Sequence, residues 1–155
     1  PTSATRRGWE LPSRIRQLLK MFEQRGETHH TTFGRTEVLD GLTLTDVKIC
    51  DLSSLQRATQ QEYVLLARRF VVSNERVLLR GNEGRIHIPV SFLSAKFVWL
   101  AHSQPNDDTD PSDHDRQTLT DFGDLNGQAR SVIVTEGGSC SHFTPFEDLS
   151  NWLPP

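Results

Sequence analysis

The residues most able to do covalent chemistry sit near the C-terminus, in Gly137-Gly138-Ser139-Cys140-Ser141-His142. A thiol flanked by glycines can meet a substrate closely, and glycine amides can form an oxyanion hole. His29 or His30, followed by Asp40, Asp46 or Asp51 and then Cys140, gives the His–Asp–nucleophile order found in one class of hydrolase. Ser141 and His142 follow the thiol where such enzymes place glycine, so the turn reads first as structural. Catalysis through Cys140, His29, His30 and Asp51 is the alternative expectation.

A second group is acidic. Asn106, Asp107, Asp108, Asp110, Asp113 and Asp115 could gather a hard cation. A helix–loop–helix calcium site needs Gly at its sixth position and Glu at its twelfth, and Pro111 and Gln117 stand there. This tract reads as a solvated acidic loop. The six histidines lack the mutual spacing of a zinc site. No metal and no cofactor is expected, and no Gly-x-Gly-x-x-Gly or phosphate-binding Lys loop is present.

The third group is basic. Arginine outnumbers lysine 14 to 3. Arg14, Arg16 and Lys20 lie off the apolar stripe of the first helix, with Trp9 just before it, and Arg76 and Arg80 share one face of a strand. Such a face could meet carboxylates of a protein partner or the phosphates of RNA. Charge is segregated: residues 1–100 carry 15 basic and 10 acidic side chains, residues 101–155 carry 2 and 10. The whole chain stands at −3, which disfavours general nucleic-acid binding.

These groups must be held by a small framework. The 155 residues are 35 % apolar, enough for one domain. Residues 1–10 read as a loose arm and 11–155 as one α+β domain with a mobile acidic loop at 103–118. Leu11, Ile15, Leu18, Leu19 and Phe22 recur at helical spacing, and Gly26 ends that helix. Residues 27–35 read as a loop and Asp40-Gly41 as a turn. Leu42, Leu44, Val47 and Ile49 alternate as a strand with a bulge at Asp46. A second helix runs from Ser53 or Ser54 to about Ala67, in competition with an extended Tyr63–Val72. Strands follow at Arg69–Ser73, Arg76–Arg80, Arg85–Val90, Phe92–Leu100 and Ala129–Thr135, as a mainly antiparallel meander with a hairpin at Gly81–Gly84. Thr144-Pro145-Phe146-Glu147 opens a short C-terminal helix.

No apolar run has membrane-spanning length, and two cysteines make no disulfide scaffold. An intracellular setting, cytoplasmic or nuclear, is expected. The ends, Pro1 without Met and Pro154-Pro155, fit a piece of a longer protein. The functional expectation is therefore a non-catalytic interaction domain that binds another protein or another part of its parent chain. RNA binding and a small cysteine hydrolase are the alternatives.

Overall fold

The computed structural model describes residues 11–30, 38–69, 74–81 and 86–146. Among these, three helices pack on a seven-stranded mixed sheet, an α+β fold. Helix α1 spans Ser13–Arg25. Strands β1 (Glu27–His30) and β2 (Val38–Leu44) follow, then α2 (Ile49–Thr59), β3 (Tyr63–Arg68) and β4 (Arg76–Arg80). A 3-10 turn at Val90–Phe92 precedes β5 (Phe97–Gln104), α3 (Asp113–Asn126), β6 (Ser131–Thr135) and β7 (Cys140–Phe143). The sheet order is β1-β2-β4-β3-β5-β6-β7. Every pairing is antiparallel except β5 with β6. Parallel neighbours need a crossover, and α3 supplies it.

The two faces of the sheet bury separate cores. On one, Ile15, Leu18 and Phe22 of α1 and Leu52 and Leu55 of α2 meet Tyr63, Leu65, Leu78, Ala101 and Val134. On the other, Leu119 and Phe122 of α3 meet Val64, Leu66, Val77, Leu79, Trp99, Ile133 and Phe143, with Ile86, Ile88 and Phe92 from the segment before β5. Strands β3 and β4 are thus buried on both sides. This is why they read as unbroken apolar runs, Tyr63-Val64-Leu65-Leu66 and Val77-Leu78-Leu79, instead of alternating. A run of that kind cannot be told from a buried helix by period alone. The second helix accordingly ends at Thr59, with Gln60 left-handed at φ 59°, and the extended alternative holds for Tyr63–Arg68.

Several expectations are corrected. Residues 27–30 form an edge strand instead of a loop, and Asp40-Gly41 lies inside β2 instead of in a turn. Gly41 is required there by space, because a Cβ would come within 2.9 Å of the His29 ring and 3.1 Å of Leu79. The alternation from Leu42 breaks at Asp46 because β2 ends at Leu44 and Ile49 starts α2. Ile86–Pro89 takes no regular strand, and β5 begins at Phe97 instead of Phe92. The stretch 103–118 is not one loop. Ser103 and Gln104 close β5, and α3 begins at Asp113, where Ser112 caps it by accepting from Asp115 N at 3.0 Å. Cys140 stands in a strand. Trp9, the strand at 70–73, the hairpin at 82–85 and the C-terminal helix beyond residue 146 lie outside the described residues.

Candidate functional site

The sequence-derived hydrolase set is not brought together. His29 and His30 lie in β1 and Cys140 in β7, the two ends of the sheet order. Six strand spacings of about 4.8 Å separate them by roughly 29 Å. Asp51 sits at the third position of α2, where it accepts from Lys48 N at 2.8 Å and caps the helix. It also takes a fork from Arg14: Nε donates to Oδ1 and Oδ2 at 3.0 Å each, and a terminal nitrogen to Oδ2 at 2.9 Å. Asp46 holds the other side of the guanidinium at 3.0 Å, and its carbonyl oxygen also accepts from Arg14. These hydrogen bonds, led by that of Asp51, raise the Arg14 pKa above its ordinary value.

The glycine turn before Cys140 has a structural role. Glu136 carbonyl oxygen accepts from Ser53 Oγ at 3.2 Å and from Arg57 at 3.3 Å, and Gln60 donates to its carboxylate. Gly137 has no room for a side chain, since a Cβ would come within 2.6 Å of Asp107 Oδ1. Gly138 takes φ 97°. Cys50 and Cys140 are both free thiols and exposed.

The basic expectations divide. Arg16 and Lys20 are exposed on α1. Arg80 is half-buried, donates to Asp40 Oδ2 at 2.7 Å and lies 4.5 Å over the Phe22 ring, so it is spent within the fold. Arg76 is half-buried and donates to the Glu75 carbonyl at 3.4 Å.

What the sequence reading missed is a buried His–Asp pair on the α3 face. The sheet register shifts between Leu65 and Leu66: Leu66 opposes Trp99, Leu65 opposes Ala101, and Leu100 is the extra residue. That bulge turns Leu100 and Ala101 to the α1/α2 face and leaves Trp99 and His102, three positions apart, on the α3 face. Their rings stack at 5.0 Å and 28°, and Phe143 closes edge-on at 5.7 Å from His102.

The α3 cap places the carboxylate. Asp115 Oδ2 accepts from Ser112 N at 2.9 Å and stands 3.3 Å from His102 Nε2. Burial works to raise the Asp115 pKa, but contact with His102 and the hydrogen bonds with Ser112 outweigh it. The carboxyl ends below its ordinary value. The approach of Nε2 is off the line of a hydrogen bond. His102 is 2 % exposed, and neither ring nitrogen has a hydrogen-bond partner; Trp99 Nε1 is buried and orphaned in the same way.

Around this pair is a cleft. Its inner end is lined by Val64, Ile88, Trp99, His102 and Thr118 and has no room for a water molecule. Its mouth, about 310 Å³, is lined by Glu62, His87, Gln104, Asp108, Ser112 and His114. Ile86, His114 and Asp115 line both parts. Gln104 lies on the same strand face as His102, and its amide nitrogen donates to the Asp108 and Asp110 carbonyls at 2.6 and 3.1 Å, fixing the loop that rims the mouth. His87, expected to face outward from between Ile86 and Ile88, stacks on His114 at 4.1 Å.

A buried imidazole with neither nitrogen hydrogen-bonded, beside a carboxylate, can do two things. It can share a divalent cation with that carboxylate, or it can move a proton for a bound ligand. Among the described residues no three His, Cys, Asp or Glu side chains stand close enough to share an ion. A cation at the pair would therefore fill its remaining positions from Gln104, water or substrate. The one sequence signal for this site was Ser112-x-x-Asp115, a capping-box spacing inside the acidic tract. Comparison with protein-family models, curated proteins and solved structures gives no match to this chain. Among the described residues, no helix is long and apolar enough to cross a membrane.

Proposed function

We propose that the cleft over His102 and Asp115 is a divalent-cation-assisted hydrolytic site. One observation carries the reading: a histidine buried to 2 %, neither ring nitrogen hydrogen-bonded, with Nε2 3.3 Å from the Asp115 carboxylate at the dry inner end of the cleft. Native folds do not leave such groups unsatisfied without cause, and a bound ion is a standard one. An imidazole with a carboxylate suits Zn²⁺ or Mn²⁺. Such an ion lowers the pKa of a bound water and polarises the oxygen of a carbonyl or phosphoryl group. Here His102 and Asp115 would hold it. Glu62, whose Oε2 accepts from Ile86 N at 3.2 Å, lines the mouth and would supply the general base for a water held there. Trp99 and Phe143 wall the imidazole from bulk water. The reading departs from the sequence-based expectation of a metal-free protein.

Calorimetric titration with Zn²⁺ and Mn²⁺ tests it. One ion per chain, lost in both His102→Ala and Asp115→Asn while circular dichroism stays native, is the expected result. Stoichiometric binding that survives both substitutions, or no binding to the intact chain, sinks the proposal.

The interaction-domain reading stands as a second proposal, carried by Arg16 and Lys20, which remain exposed on α1 while Arg14 is engaged by Asp46 and Asp51. A protein partner with an acidic surface would meet them. Arg16→Glu should then weaken capture of that partner and leave melting unchanged. RNA binding loses support, since Arg80 is spent on Asp40 and Phe22.

A further inference from the structure

The sheet ends at β7, and among the described residues no strand pairs with its outer side. The hairpin before β7 fixes which backbone groups point there. Gly138 N donates to Thr135 O at 3.0 Å and Thr135 N to Ser139 O at 2.8 Å, so Ser139 bonds inward to β6. Inward and outward residues alternate along an antiparallel ladder. With Ile133 opposite Ser141 and Val134 opposite Cys140, Ser141 and Phe143 bond to β6, and the N–H and C=O groups of Cys140 and His142 face outward. The next carbonyl on that side, that of Thr144, accepts from Arg116 at 3.2 Å. Cys140–Phe143 carries no charged residue, proline or bulge, the devices that blunt a sheet edge, whereas β1 at the opposite edge opens on Glu27. The two ends of β7 differ in charge. Exposed Asp107 sets its carboxylate against Gly137 in the hairpin, and exposed Arg130 stands just before Ser131, which lies opposite Phe143. Neither belongs to an ion pair among the described residues.

We infer that this edge pairs with the same edge of a second copy of the chain, antiparallel about a two-fold axis at Ser141. Outward groups must meet outward groups, so Cys140 of each copy exchanges both N–H···O bonds with His142 of the other. The two Ser141 residues then face each other as a non-hydrogen-bonded pair, with Cα atoms about 4.5 Å apart. An axis at His142 would set Cys140 against Thr144, whose carbonyl Arg116 already takes. Charge selects the occupant: the antiparallel pairing brings the Arg130 end of each copy to the Asp107 end of the other, so opposite charges meet twice. Phe146, 71 % exposed just past β7, adds apolar area to the contact. The inference is independent of the cleft and of the α1 surface. An edge this short makes a weak, transient dimer.

Analytical ultracentrifugation of the full chain from about 20 μM to about 1 mM, the range for a small interface, should show a dimer fraction that rises with concentration. His142→Pro removes an outward N–H and leaves the bonds to β6 in place, so it should abolish the dimer while circular dichroism stays native. Arg130→Glu should weaken the dimer about threefold, and adding Asp107→Lys to it should restore the loss. Trapping checks the register even where the proline variant fails to fold. In a chain carrying Cys50→Ser and Cys140→Ser, Ser141→Cys should form a disulfide-linked dimer in a glutathione buffer, because Cα atoms about 4.5 Å apart suit a disulfide. Thr28→Cys, on β1, should stay monomeric in the same background. A chain that is monomeric throughout, a dimer that survives His142→Pro, a dimer indifferent to Arg130→Glu, or a Thr28→Cys disulfide in place of the Ser141→Cys one overturns the inference.

Discussion

The two faces of the sheet bury apolar side chains alike but treat their polar groups in opposite ways. On the α1/α2 face the buried polar side chains among the described residues are tied. Asp51 takes the Arg14 fork and caps α2, Ser103 Oγ accepts from Tyr63 N and donates to Gln56 Oε1 at 2.8 Å each, and Thr59 meets the Tyr63 hydroxyl at 3.1 Å. On the α3 face the buried ring nitrogens of Trp99 and His102 go without partners. Unpaired buried polar atoms cost free energy, so a fold keeps them where a ligand supplies the partner. The first face ties its polar groups within the fold; the second leaves nitrogens for which the proposed ion would supply a partner.

The comparison can be broken by substitution. Leu18→Asp on α1 and Phe122→Ala on α3 both strike cores, and each should cost about 3–5 kcal/mol in urea unfolding, the first by burying a charge and the second by leaving a cavity. A small loss for Leu18→Asp would mean that α1 docks loosely. Asp51→Ala comes next, at about 2 kcal/mol, because it removes an N-terminal cap and the main partner of a half-buried arginine. Exposure of the Arg14 side chain keeps the figure below that of a fully buried pair.

The α3 face should answer with the opposite sign. The double change His102→Phe with Asp115→Asn replaces the unsatisfied ring by an apolar one and removes the carboxylate that the imidazole faces, and should stabilise the cation-free chain by up to about 1 kcal/mol while ending ion uptake. Thermal melting with and without Zn²⁺ reads both effects, and a destabilised variant with no change in ion response would erase the distinction between the faces.

Asp115 adds a pH signature. Its folded pKa lies below its unfolded one, so its contribution is present above the ordinary carboxylate range and is lost as pH falls through the lowered folded value. Asp115→Asn should flatten that part of the acid limb of a stability–pH curve; an unchanged limb would remove the carboxylate from the account. The smallest effect belongs to Arg16→Glu, within about 0.5 kcal/mol, because its exposed side chain supports neither core.

How much of this was legible in the sequence follows from how many faces each element buries. Helix α1 buries one, so its stripe was plain at Ile15, Leu18 and Phe22. Strands β3 and β4 bury two, which left helix and strand in competition over 63–72. Helix α3 was hidden because its first turn is Asp113-His114-Asp115 and its buried set is only Thr118, Leu119 and Phe122. Gly41 passed for a turn residue because the demand for a glycine comes from His29 and Leu79, on the neighbouring strands. The His102–Asp115 pair was out of reach. Thirteen positions separate the two, and only a parallel crossover and a one-residue bulge bring them together.

That bulge makes the site sensitive to chain length as well as to chemistry. Removing Leu100 alone would close the bulge and leave Trp99 and His102 two positions apart, so plain alternation would still hold both rings on one face. One residue inserted beside Leu100, with no functional side chain touched and no second bulge to absorb it, would instead put the two rings on opposite faces of the sheet. One of them would then have to enter the core beneath α1 and α2, so a single-codon insertion there would dismantle the site from within a strand. Changes in length across residues 105–111, between β5 and the cap of α3, would alter the mouth while leaving the register of the sheet as it is.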